Sequence, residues 1–369
     1  MLDLELTDEQ KLIRDTVVSF AAAEVRPIAR ECDERGHIPD DIARKGFDLG
    51  LIHSALPEEH GGFGETRSAV TGCIVAEELA WGDLSIAMHL LAPRLLAYPI
   101  LDAGTNEQRA RYLPRFAEQF HAATAAVVEP RFDFDTTRYA TTARRADGGY
   151  LLNGEKCFVP LADRSDAILV FAQLEDPPRG GGTPAAFIVD RGTAGLTISE
   201  REANMGLKAL ATHELSLQDV RIPAAARLGG ENALDLERIM NHSRVALAAL
   251  ATGVARAAFE YARDYAKERK AFGVAIAQKQ AIAFMLANMA IEIDATRLLA
   301  WEAAWKLDRG EAATREAALA RRYAANMVLK VTDDALQVLG GHGYVRDHPV
   351  ELWLRNARGF ASFEGMAIV

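Results

Sequence analysis

The feature that most restricts the fold of this chain is a double change of hydrophobic period. Up to about residue 120 apolar residues return every three or four positions, the period of a helix that buries one face. Thr7 with Gln10 forms a capping box, and Leu12, Ile13, Val17, Phe20, Ala21 and Val25 then make one stripe that ends near Pro27. A shorter helix is predicted over 40–50, a Gly-rich loop over 56–65 and helices over 68–81 and 84–103. A second capping box at Thr105 and Gln108 opens a helix to 119 with Tyr112, Leu113 and Phe116 inward. From 122 to 222 the apolar runs shorten and alternate, at 123–128, 150–152, 167–171, 185–189 and 214–220, as strands do. Pro177-Pro178-Arg179-Gly180-Gly181-Gly182 reads as a turn between two of them. Beyond 234 the helical period returns, with an Ala-rich helix over 244–267, a break at Gly273 and further helices over 281–308, 311–339 and 349–360. The expected class is α+β: an all-helical domain over 1–121, an antiparallel β-barrel or sandwich over 122–229, and a four-helix bundle over 230–369.

Composition narrows the chemistry. The net charge of −10 leaves no basic surplus to neutralise a phosphate backbone, so a nucleic-acid partner is not expected. Cys32, Cys73 and Cys157 are odd in number and scattered, which suits a reducing compartment, and MLDLELTDEQ is too acidic for a signal peptide. The longest apolar run, 245–254, is short for a bilayer, so the expectation is a cytoplasmic protein without a membrane span. No Walker, Rossmann or G-x-S-x-G pattern occurs, and His342 and His348 lack a third neighbour with which to hold a metal.

The residues most suggestive of chemistry lie between 335 and 366. A helical stripe through Val328, Val331, Ala335 and Leu339 stops at Gly340-Gly341, and a short helix carrying Leu352, Trp353 and Ala357 leads to Glu364-Gly365 between Phe363 and Met366. A carboxylate there is either a solvated residue near the chain end or a base whose pKa an apolar pocket has raised. Arg269, before the break at Gly273, is either a surface cation paired with Glu268 or a guanidinium fork for phosphate. Arg244 is read at the head of the Ala-rich helix, where the dipole disfavours a cation and some other reason for it is needed.

The ordered run Gln337, Gly340, Gly341, Gly343, Tyr344, Pro349-Val350-Glu351, Arg355, Ala357, Arg358 and Glu364-Gly365 resembles the acyl-CoA dehydrogenase family, as do LPEEHGGFG, EELAWGDLS and GTNEQRARYLP earlier in the chain. The resemblance covers essentially the whole sequence. It implies FAD-dependent α,β-dehydrogenation of an acyl-CoA thioester, with Glu364 taking the α-proton, hydride passing to flavin N5 and an electron-transfer flavoprotein or another acceptor taking the electrons. It places Arg244 beside the base and the substrate, and gives Arg269, Phe272, Gln280, Gln337, Gly340 and Gly341 to the FAD of a neighbouring subunit, so it implies a homo-oligomer, a dimer or tetramer. Asp135 aligns with a residue near coenzyme A. The chain departs from the pattern where a subunit holds its own flavin ring: Val128 replaces a Thr, Phe158 a Trp and Pro160 a second Thr, and neither Val nor Pro offers a hydroxyl. That asymmetry also admits a second reading, a half-site subunit that completes the FAD site of a related chain in a hetero-oligomer.

Overall fold

The computed structural model describes residues 5–175, 182–232 and 234–369, so the predicted turn at 177–182 lies outside the described residues except for Gly182. The first part is helical: α1 (Asp8–Phe20), α2 (Ala29–Arg35), α3 (Asp40–Asp48), α4 (Ala69–Gly82), α5 (Leu84–Leu91), α6 (Arg94–Ala103), α7 (Asn106–Tyr112) and α8 (Arg115–Glu118). Both capping boxes are formed: Thr7 and Thr105 accept from the backbone N–H three residues on, and Gln10 and Gln108 return the bond. The stripe expected to run to Pro27 does so through a π-turn at Ala21–Val25 and a tight turn at Arg26–Ile28. The single helix predicted over 84–103 is two, parted at Pro93, which has no N–H to continue the first.

The middle part is β1 (Thr124–Ala126), β2 (Thr142–Ala146), β3 (Gly149–Pro160), β4 (Ala167–Leu174), β5 (Thr183–Asp190), β6 (Leu196–Arg201) and β7 (Thr212–Pro223). Its order is β1-β4-β2-β3-β7-β6 with β5 on β4. The sheet is mixed rather than purely antiparallel, because β4 runs parallel to both β1 and β2. Side-chain alternation reports which face is buried and carries no strand direction, and β4 is buried on both faces, as a strand with parallel neighbours is. β2 and β6 escaped the sequence reading. Each shows a mostly polar, half-exposed pattern and is held by backbone pairing to β3 and β7.

The last part begins with α9 (Leu236–Glu268), then a hairpin of β8 (Lys270–Ala271) and β9 (Val274–Ala275), then α10 (Gln280–Asp308), α11 (Thr314–Leu339), the single turn α12 (Gly341–Tyr344) and α13 (Val350–Arg358). The Ala-rich face of α9 buries Ala251, Ala255, Ala258, Ala262 and Ala266 completely, which lets α4, α10 and α11 approach it closely. One hydrophobic core runs continuously through the first and last helical parts, and a second lies within the sheet. Two stretches, Leu84–Ala103 and Leu236–Glu268, are long and apolar enough to cross a membrane by composition, contrary to the expectation drawn from 245–254. Their apolar windows are 94% and 78% buried inside the fold, the setting of core helices.

Several quoted motif residues serve packing. Glu351 pairs with Arg30 and, at 2.7 Å, with Arg355 Nε, while Arg355 Nη2 lies 2.7 Å from Asp33, so the P-V-E and R-x-A-R segments clamp α13 to α2. Asn356 Oδ1 accepts from Leu207 N at 2.8 Å and ties the same helix to the middle part.

Candidate active site

Glu364 sits where the three parts meet. Its side chain is 27% exposed, yet Oε2 is buried without a hydrogen-bond partner. Oε1 lies 3.4 Å from Nε of Arg321 on α11. Burial raises the carboxyl pKa; Arg321 and then Arg244 oppose the rise without cancelling it. Arg321 donates through Nη2 to the carbonyls of Phe360, at 2.7 Å, and Phe363, so one guanidinium holds the backbone ahead of the glutamate and faces its carboxylate. Sequence reading passed over Arg321, although a signal exists. It falls on the buried stripe Ala317, Ala320, Ala324, Met327, Val328 of α11, and an arginine on such a stripe needs an acceptor.

Arg244 does not head its helix. It lies two turns inside α9, whose N-cap is Asp235, so the dipole argument does not apply to it. Its guanidinium donates to Asn241 Oδ1 at 2.9 Å and Thr136 Oγ1 at 3.1 Å, and acts on Glu364 through space. Asp135, the neighbour of Thr136, is exposed and accepts from Thr137 N and Oγ1 at 2.7 and 2.8 Å, so its carboxylate closes a turn.

The loop that carries the glutamate depends on Gly365. Its φ is +64°, and a Cβ there would lie 2.3 Å from Cγ2 of Val127. Val127 is fixed from below: Lys156, with a fully buried side chain, donates to Val127 O at 3.2 Å and to Glu129 Oε1 at 3.0 Å. Burial pushes the Lys156 ammonium down to about 8 against the pull of Glu129. Glu129 in turn accepts from Ala140 N and Thr141 N at 2.7 and 2.8 Å. A small cavity of about 10 Å³ adjoins Gly365, bordered by Leu95 and Pro99 of the first part, Val127 and Phe171 of the sheet, Ser243 of α9 and Ile368. Ser243 Oγ is buried there without a partner. Leu95 borders this cavity, while Leu90 and Leu91 are core residues.

A cavity of about 160 Å³ lies between the sheet and α13, with Phe158, Thr212, Asn356, Phe363 and Met366 in its walls. Phe158 occupies an irregularity in the β3–β7 register at φ 54°, a left-handed conformation costly for a bulky residue. Its N–H donates to Glu202 Oε1 at 3.1 Å. Asn356 Nδ2 is buried in the same region without a partner. An aromatic face and an unpartnered amide in a crevice that Phe363 and Met366 also border fit a planar heterocycle with hydrogen-bonding edges. Val128 O accepts from Cys157 N at 3.0 Å, leaving the Val128 N–H outside that pairing, and Pro160 pairs across the sheet with Thr212.

The second set of expected flavin residues gathers at one end of the helical bundle, exposed. Phe272 and Gly273 form the two-residue tip of the β8–β9 hairpin with φ 53° and 82°, and Phe272 is 95% exposed. Arg269 precedes that hairpin and makes no ion pair with Glu268 or any other acid among the described residues; Gln280 opens α10. Gln337 and Gly340-Gly341 end α11, and the ring of His342 lies 6.2 Å from that of Tyr265, one turn before Arg269. Gly340 has φ 59° and ψ −132°, open to glycine alone, and nothing stands within 4 Å of a Cβ at Gly340 or Gly341. An exposed arginine beside bare backbone is a fitting surface for a pyrophosphate. None of these six residues bonds to Glu364, Arg321 or Phe158 among the described residues. Among the described residues no group of three or more His, Cys, Asp or Glu is placed to hold a metal.

Comparison with known proteins agrees with this layout. Three family models match in chain order: the acyl-CoA dehydrogenase N-terminal domain over 7–119, the middle domain over 124–220 and the C-terminal domain over 234–367. A 3-(aryl)acrylate reductase of Clostridium sporogenes is 36% identical over 98% of this chain and 96% of its own. The butyryl-CoA dehydrogenase of Megasphaera elsdenii superposes with a TM-score of 0.88 at 32% identity, over 98% of this chain and 96% of that one. The FAD complex of PigA gives 0.89 at 25% identity, over 98% and 95%. The chain therefore belongs to the acyl-CoA dehydrogenase family and is an oxidoreductase with FAD as its cofactor.

Proposed function

We propose that this chain dehydrogenates a small acyl-CoA thioester at its α,β bond, with Glu364 as the base that removes the α-proton. The observation that carries this reading is the buried, unpartnered Oε2 of Glu364 in a setting that raises its pKa while two arginines keep the ionised form accessible. FAD, when bound, supplies the acceptor for the β-hydrogen. Arg321 fixes the glutamate loop and offsets the charge, Arg244 steadies it from α9, and Lys156 with Glu129 keeps the wall beneath Gly365 rigid. The small size of the acyl group is supported by similar proteins: one is named for butyryl-CoA and another as short-chain specific. Glu364→Gln is expected to keep its flavin and lose substrate-dependent flavin bleaching; undiminished bleaching refutes the assigned base.

The exposed half-site asks for a second chain, and α10 offers one a contact face: Phe284, Ile291 and Leu298 recur every seven residues and are all exposed. We read the assembly as a homo-oligomer in which Arg269, Phe272, Gln280, Gln337, Gly340 and Gly341 serve a neighbour's FAD. The hetero-oligomer reading is motivated by Val128 and Pro160, which lack hydroxyls; about one flavin per chain in protein purified alone rules it out. An electron-transfer flavoprotein is the proposed acceptor. The three cysteines, free and buried, support a cytoplasmic location.

A further inference from the structure

The first helical part contains a cavity of about 570 Å³, walled by α1, the end of α3, the 49–68 segment, α4 and α6, that shares no lining residue with the cavity beside Gly365. The volume lies in the range of small-molecule sites. Its apolar wall includes Ile13, Val17, Leu51, Val75 and Tyr98. Two arginines also border it, one on each of two approaches to the Tyr98 ring: the guanidinium carbon of Arg67 is 4.8 Å from the ring centroid and that of Arg94 is 5.3 Å.

The charged side chains at this place leave Arg94 without an acid; Val369, the last residue of the chain, also lines the cavity and lies against His242. Arg67 is paired with Asp102 at 2.7 Å and also faces His242 at 3.2 Å. His242 is held neutral, its pKa pushed down to about 2 by burial and then by Arg67, so it contributes no charge of either sign. Arg94 is 5% exposed, and its only hydrogen-bond acceptor is the carbonyl of Leu51, reached from Nε at 2.8 Å and Nη2 at 2.6 Å. No carboxylate lies within 4 Å of it among the described residues. Glu9 and Glu65 border the cavity too, but both are exposed and neither bonds to Arg94 or Arg67. A buried guanidinium with a single neutral acceptor is costly, and its remaining N–H donors call for an anion.

We propose that this cavity is a binding site for a small carboxylate with an apolar body, the carboxylate on Arg94 with Arg67 close by and the hydrocarbon along Ile13, Val17 and Val75. One uncompensated guanidinium matches one monoanion, and its planar fork matches the two oxygens of a carboxylate. The apolar wall disfavours inorganic phosphate and other ions hydrated on all sides.

The test uses the flavin-loaded protein with sodium octanoate as the probe and 1-octanol as its neutral counterpart, read by calorimetric titration and thermal unfolding. Octanoate is expected to bind saturably and raise Tm, and octanol to do neither at equal concentration. Arg94→Met is expected to weaken octanoate binding by about tenfold to a hundredfold, the loss of a charge-assisted contact, with flavin content and acyl-CoA turnover unchanged. Should Arg94→Met not fold, Arg67→Met and Arg94→Lys take its place, both expected to bind octanoate more weakly than the parent. Equal stabilisation by octanol, octanoate binding undiminished in these variants, or displacement of octanoate by a saturating acyl-CoA overturns the proposal. The last outcome places the binding in the dehydrogenase site and leaves the reading of Glu364 intact.

Discussion

Replacing Arg321 by Met tests the electrostatic design of the site most directly. The guanidinium stands 3.4 Å from the Glu364 carboxylate. At that separation the attraction is about 5 kcal/mol at an effective permittivity of 20 and about 1 kcal/mol in water. Glu364 retains some contact with solvent, so the lower part of that range applies, about 1–2 kcal/mol. Arg321 acts against burial, which raises the Glu364 pKa. Removing it therefore raises the pKa further and disfavours the deprotonated base. The rate that depends on the base rises with pH, and in Arg321→Met the acid limb of kcat/KM is expected to move to higher pH. On that limb, at fixed pH, the loss is about five- to thirtyfold, the equivalent of 1–2 kcal/mol. Above the limb it shrinks to what the lost bonds to Phe360 O and Phe363 O contribute. Arg321→Lys keeps the charge without the fork and is expected to leave the limb near its original position. The assay is the pH profile of kcat/KM with flavin content measured in parallel. An acid limb unmoved in Arg321→Met, with full flavin content, refutes the reasoning.

Glu364→Gln carries a second consequence. A carboxyl whose pKa is raised on folding favours the folded state below its unfolded pKa, and that contribution is lost as pH rises through the folded pKa. The Gln variant is therefore expected to gain stability relative to the parent as pH rises through that window, measured by urea unfolding at several pH values. Lys156→Met leaves buried Glu129 with Arg131, at 3.1 Å, as its remaining cation, so the expected cost lies below the about 3–5 kcal/mol of a fully unpaired buried charge, and Lys156→Met with Glu129→Gln is expected to recover part of the loss in Tm. Gly340→Ala forces a side chain into a conformation open to glycine alone, at about 1–3 kcal/mol of backbone strain; we expect a fall in flavin per chain together with a modest fall in Tm, with no added clash because no neighbour stands in the way of the methyl group.

Much of the fold was legible in local pattern. The capping boxes at Thr7 and Thr105, the helices of the bundle and five of the strands follow from residue periods and caps, which are near-neighbour effects. β2 and β6 were not legible, because strands with one weakly buried face owe their existence to a partner's backbone. The same division runs through the site. Glu364, Gly365 and the Gly340-Gly341 end of α11 stand in a contiguous motif. Arg321 lies 43 residues before Glu364, and Lys156 more than 200, and nothing in sequence spacing joins them to it.

The sequence by itself determined where most helices and five of the strands form, which family the ordered motif resembles, and which carboxylate ends that motif, since each is written in residues close along the chain. Only the tertiary structure decided that Arg244 lies inside its helix, that Asp135 closes a turn, that Arg321 is the cation facing Glu364, and that Phe272 stands exposed at a hairpin tip. The reason is that burial and charge pairing are properties of space: the pKa of a carboxylate depends on what surrounds it within a few ångströms, and those neighbours come from segments that only folding brings together.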